Sequence, residues 1–267
     1  MDLLYVRFAS EALGRETRMA VMLPERANAV GMDEEKTAAL PPFGGLYFLH
    51  GMGNGCTALA RWTNLERAAD GRGLAVFMPE GALGWYTDMK EGSRYYTYVT
   101  EELPLICRRL FPRLSRARED TFVAGISMGG YGALRCALGR PDLYAAAGLF
   151  AGDYEVLSFL RDGEAVRREP DLFSSIFGTL DECRGSENDP FDLVRRRKDD
   201  PVKLPVFQCC GTRDTLYGSN LEMRDALRRN GWDVTWSEGD AAHDFAYWDR
   251  ELEPFFGWLD GIRGLKK

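Results

Sequence analysis

Five short apolar runs, separated by stretches of helical periodicity, constrain this chain more than any other feature. They are Gly45–Leu49, Leu74–Met78, Thr121–Ala124, Ala145–Phe150 and Val206–Cys210. None alternates apolar with polar residues, so each reads as a strand buried on both faces. Asp233–Ser237 is a further strand candidate, and Leu3–Ser10 and Thr17–Leu23 open the chain as two strands expected to pair antiparallel. Within Val99–Phe111, Leu103, Ile106, Cys107 and Leu110 fall at helical spacing. Thr63 or Asn64 would cap a helix running to Asp70, and Ser127–Leu138, Asn220–Arg229 and Phe245–Leu259 complete the helical set. This alternation predicts an α/β protein: a mostly parallel sheet of about eight strands, with helices on both faces.

Two segments break the rhythm. Ala27–Pro42 is polar and ends in two prolines, which predicts a loop. Residues 152–205 are long, charged and poor in strand pattern. They form either a cap over a site or surface decoration within a single domain spanning residues 1–267. A formal net charge of −7 sets the chain against phosphate backbones. Its one basic run, Arg195-Arg196-Arg197-Lys198, is followed at once by Asp199 and Asp200 and reads as a solvated face. Nucleic acid is therefore excluded as a partner. Six cysteines show neither a CxxC pair nor metal spacing. The N-terminus lacks a basic region followed by an apolar one, and no run is long enough to span a membrane. These features point to the cytoplasm.

The sharpest local signal is Gly125-Ile126-Ser127-Met128-Gly129, a G-x-S-x-G sequence with a strand before it and a helix after it. The turn between them is tight enough that a side chain at either glycine would collide with its neighbours. Ser127 would then stand at the sheet edge as a nucleophile. A serine hydroxyl needs a base, and only His50 and His243 are available. His243 follows the last strand candidate and precedes the final helix, where such a base belongs. Asp214 lies just past Val206–Cys210 and would orient the imidazole; Asp240 and Asp244 compete for that role. The backbone N–H of Met128 would stabilise a developing oxyanion. The glycine-rich stretch Leu49–Gly55 offers a second donor, at Met52. His50 reads as a residue that shapes this loop.

These pieces resemble the esterase D group, and within it the bacterial tributyrin esterases. The resemblance is carried by Leu49-His50-Gly51-Met52, Gly84-Trp85-Tyr86-Thr87-Asp88, Tyr95-Tyr96, Glu101-Glu102-Leu103-Pro104 and Gly125–Gly132. It continues in Ile176-Phe177-Gly178, Cys210–Tyr217 and Tyr247-Trp248-Asp249. It implies an α/β-hydrolase fold and a serine carboxylesterase acting on short acyl esters, acetyl to butyryl, including esters carried on sugars. It places the family's serine, aspartate and histidine on Ser127, Asp214 and His243, and its oxyanion amides on Met52 and Met128. Trp85 and Tyr86 would line an acyl or alcohol pocket, or simply pack. One departure stands out: Ala241-Ala242 precede His243 where relatives often carry glycine. The chemistry calls for a small ester and neither metal nor cofactor; self-association is left open. Two rival readings are S-formylglutathione hydrolysis, which shares the reacting centre, and a non-catalytic binding module on the same fold.

Overall fold

The computed structural model describes residues 1–24, 40–162 and 171–265. Most of the loop expected at Ala27–Pro42 and part of the 152–205 segment lie outside them. The strands are β1 (Asp2–Ser10), β2 (Arg15–Leu23), β3 (Gly44–Leu49) and β4 (Leu74–Pro79). They continue with β5 (Thr121–Ile126), β6 (Ala146–Phe150), β7 (Val206–Gly211) and β8 (Val234–Gly239). All eight join one sheet in the order β1-β2-β4-β3-β5-β6-β7-β8. The hairpin β1–β2 is antiparallel and adds antiparallel to β4; every other pairing is parallel.

The apolar runs behave as their composition dictates. Every residue of β3 to β7 is buried, because helices cover both faces. Successive side chains of a strand point to opposite faces, so one run feeds two cores. Tyr47 and Leu49 belong to one cluster, and Leu46 and Phe48 to the other. By contrast β1 is an edge strand and alternates: Leu4, Val6 and Phe8 pack inward while Leu3, Tyr5 and Arg7 face out.

The described helices are α1 (Ala58–Trp62), α2 (Leu65–Ala69), α3 (Tyr95–Thr97), α4 (Leu103–Leu110) and α5 (Met128–Gly139). Then come α6 (Val156–Asp162), α7 (Leu172–Phe177), α8 (Leu180–Cys183), α9 (Pro190–Arg196), α10 (Tyr217–Arg229) and α11 (Phe245–Ile262). Phe255 of α11 packs against Phe48, Phe150 and Phe207 on three strands. Gly148 is required beneath it, since a Cβ there would lie 2.6 Å from the Phe255 ring.

The helix expected over Val99–Phe111 is not uniform: Tyr98–Glu102 forms a π-helical turn before α4. Pro104 explains it. A proline has no N–H to give the carbonyl four residues back, here Thr100. Arg140 Nη1 donates to that carbonyl instead, at 3.3 Å. Of the two residues expected to cap α2, Thr63 accepts the Leu65 N–H through its Oγ1 at 3.3 Å. Asn64 precedes α2 but makes no side-chain cap; its amide donates to Asp249 Oδ2 at 2.9 Å, tying α2 to α11.

Within residues 152–205 the described residues form α6 to α9. Phe159, Phe173 and Phe177 from this segment meet Trp85 edge-on, each at 5.6 Å between ring centres. Asn188 accepts a hydrogen bond from Tyr131 Oη at 3.0 Å through its carbonyl, joining the segment to α5. Among the described residues no helix is long and apolar enough to cross a membrane.

Candidate active site

The site grows from the C-terminal ends of the parallel strands. Strand β5 ends at Ile126 and α5 begins at Met128, so Ser127 alone makes the turn. Its backbone takes φ 54° and ψ −120°, a region that costs a side-chain-bearing residue about 1–3 kcal/mol. The flanking glycines permit it. A Cβ at Gly125 would stand 2.1 Å from the Gly129 carbonyl oxygen, and one at Gly129 2.2 Å from that of Leu49. Gly129 therefore lets α5 approach the end of β3 closely.

His243 lies between β8 and α11, and its Nε2 is 3.0 Å from Ser127 Oγ. Its Nδ1 is 2.7 Å from Asp214 Oδ2. Asp214 sits past the end of β7 with its carboxylate fully shielded, and its Oδ1 accepts the Leu216 N–H at 2.8 Å. A buried carboxylate holding Nδ1–H leaves Nε2 free to take a proton from the serine. The two competing acids are engaged elsewhere. Asp240 pairs with Arg213 Nε at 2.6 Å, and Asp244 caps α11 by accepting the Tyr247 N–H at 2.9 Å. Trp248 stands edge-on to the His243 ring, 4.9 Å between centres, and fixes its plane.

The loop after β3 closes the other side. A Cβ at Gly51 would lie 3.3 Å from Ser127 Cβ, so the loop backbone passes directly beside the serine. Met128 is the first residue of α5, and its N–H has no helical acceptor. Among the described residues neither Met52 nor Met128 donates its backbone N–H to another protein group. His50 shapes this loop as expected. Its Nδ1–H donates to the Gly51 carbonyl at 2.8 Å, and its Nε2 accepts the Gly81 N–H at 2.9 Å. Both ring nitrogens are thereby used, which removes it as a second base.

Sequence reasoning missed two supports of the site. Glu80, just past β4, accepts from Arg18 Nε at 3.2 Å and from the Cys56 N–H at 3.4 Å, anchoring the far end of the loop. Asp153, beyond β6, donates its backbone N–H to the Ser127 carbonyl at 3.2 Å. Neither carries a motif; each is a single acid after an apolar run. Trp85 and Tyr86 pack rather than face open space, at 1% and 0% exposure. Tyr86 Oη donates to the His50 carbonyl at 2.9 Å, supporting the loop from below. Among the described residues no cluster of His, Cys, Asp and Glu could hold a metal ion.

A serine at a strained strand–helix turn, over a mostly parallel eight-stranded sheet, places the chain among the α/β-hydrolases. The Esterase family model, described as “Putative esterase”, matches residues 10–259. The chain belongs to this family and is a carboxylic ester hydrolase. It is similar to the fluorophosphonate-binding serine hydrolase F of Staphylococcus aureus: 31% identity, 97% of this chain and 98% of that one, TM-score 0.85. It is also similar to the S-formylglutathione hydrolase of that organism: 30% identity, the same coverage, TM-score 0.83. An acetyl esterase of Caldicellulosiruptor saccharolyticus is 26% identical, over 98% of this chain and 99% of that protein.

Proposed function

We propose that this protein cleaves short-chain acyl esters, acetyl to butyryl, through an acyl-enzyme on Ser127, with His243 as base and Asp214 as its orienting acid. The observation that carries this reading is the unbroken hydrogen-bonded line from Ser127 Oγ through both nitrogens of His243 to Asp214. His243 Nε2 takes the hydroxyl proton as Oγ attacks the ester carbonyl. The N–H groups of Met52 and Met128 stabilise the oxyanion, each worth about 2.7–4 kcal/mol in the transition state. Collapse of the tetrahedral adduct breaks the ester C–O bond, and the imidazolium returns its proton to the departing alcohol. Water, deprotonated by the same imidazole, then attacks the acyl-serine and releases the acid.

The short acyl preference follows the acetyl esterase relative. The S-formylglutathione hydrolase relatives favour a second reading, a thioesterase with the same reacting centre. We further read residues 1–267 as one domain, with residues 152–205 as a cap-like insertion within it. The six unpaired, buried cysteines fit a reducing compartment such as the cytoplasm. Ser127→Ala tests the central reading. It is expected to lower hydrolysis of 4-nitrophenyl acetate by more than about 1,000-fold and to abolish fluorophosphonate labelling, with an unchanged circular dichroism spectrum. Retained turnover would refute it. Assaying S-formylglutathione beside acetyl and butyryl esters separates the two readings.

A further inference from the structure

Asp153 is the carboxylate near Ser127 that the proposed chemistry leaves unused. Strand β6 runs parallel to β5, with Phe150 opposite Ile126. The chain then turns sharply at Ala151, which adopts a φ of 45°. Such a conformation in an alanine persists only where the surroundings enforce it. Here they do. A Cβ at Gly130 would lie 2.7 Å from Gly152 Cα, and Asn220 Nδ2 donates to the Gly152 carbonyl at 2.9 Å. The Asp153 N–H is held on the Ser127 carbonyl. The residue is thus fixed to the serine's own backbone by a strained and tightly packed segment.

Its side chain is half-buried and forms no ion pair among the described residues. Among the described residues its one protein donor is the Glu155 N–H, 3.4 Å from Oδ1. The charges of Glu155, His243 and Asp214 act on its carboxyl, and two of these belong to the hydrogen-bonded line. A half-buried carboxylate without a cation, with spare acceptor positions beside a reacting centre, is incomplete on its own. An apolar ester seated there would strip its remaining water. A substrate that brings its own donor would replace that water.

We propose that Asp153 is a specificity-determining residue, accepting a hydrogen bond from a hydroxyl or ammonium group that the ester carries beside the bond Ser127 attacks. This rests on the function proposed above. It predicts discrimination in favour of donor-bearing esters over matched plain ones, because a site built to pair a donor penalises its absence. Burial pushes the Asp153 carboxyl up, as do the charges of Glu155 and Asp214, while the Glu155 N–H and His243 oppose them; the result is about 6. The preference should therefore strengthen as pH rises through that value.

The test compares kcat/KM within two pairs. One pair, 4-nitrophenyl butyrate and 4-nitrophenyl 3-hydroxybutyrate, differs on the acyl side. The other, propyl acetate and 3-hydroxypropyl acetate, differs on the alcohol side. In the unmodified enzyme, the hydroxylated-to-plain ratio should increase between about pH 5 and about pH 8 in one pair, which identifies the side that Asp153 serves. Asp153→Leu should lower that ratio by about tenfold, with the plain ester hydrolysed as fast or faster. Asp153→Asn, which keeps an acceptor without the charge, should fall between. A merely structural role would slow all four esters by one factor, and that result, or a ratio independent of pH in both pairs, overturns the proposal. Fluorophosphonate labelling of Ser127 at the parent rate identifies variants whose site is assembled. If the unmodified enzyme hydrolysed none of the four esters, the ester-hydrolysis reading itself would fail instead.

Discussion

At the scale of single residues, the three groups of the hydrogen-bonded line were readable because each is tied to a local constraint. Ser127 needs glycines on both sides of its turn, and those glycines are visible in the chain. His243 was found by scarcity, since only two histidines exist. Asp214 was placed by its position after an apolar run. Asp153 was not readable, because its meaning comes from Ala151, Gly152 and Asn220 holding it against a serine that is distant in sequence. Its titration makes a stability prediction. Unfolded, the carboxyl titrates near 3.8; folded, near about 6. Between those values the folded protein holds the extra proton, so stability falls as pH rises through the window, and the cost is complete above it. Asp153→Asn should thus unfold in urea with a free energy about 1–3 kcal/mol greater than the parent at about pH 8. The difference should vanish below about pH 3.

At the scale of elements, the strand runs were legible almost to the residue, and the helices less so. Apolar strands buried on both faces leave an uninterrupted signature, while helix ends depend on partners. Asn64 resembled a cap and was taken by Asp249; the π turn depended on Arg140 reaching the carbonyl that Pro104 orphans. Trp85 and Tyr86 show the same limit. Their place after a strand left a pocket lining and simple packing both open, and the rings of α6 and α7 and the carbonyl of His50 enclose them. The junction between β3 and α5 is the element contact on which the site depends most. Gly129→Ala would drive a methyl group into the Leu49 carbonyl, with backbone rather than a yielding side chain in the way. It is expected to destabilise the protein by more than about 3 kcal/mol, measured as a lowered denaturant midpoint, and to reduce turnover by displacing the loop that carries Met52.

At the scale of the whole molecule, a large core makes cross-links unnecessary. All six cysteines are free and buried. Burial pushes the thiols of Cys56 and Cys183 up to about 11 and that of Cys136 to about 12. A thiol that is shielded and protonated does not react, so an aromatic disulfide reagent should modify no cysteine of the native protein promptly and all six after denaturation. Sheet order was less accessible than sheet content, because composition does not say which strand lies beside which.

That order has a temporal consequence. The hydrogen bond between Ser127 and His243 joins residues 116 positions apart, and it forms across β5, β6, β7 and β8. Pairings of such long range are the slow steps in assembling a chain. Ester cleavage should therefore return after helical signal and after hydrophobic collapse, and can serve as a clock for the last strand to dock. The molecule acquires its chemistry only when its topology is complete.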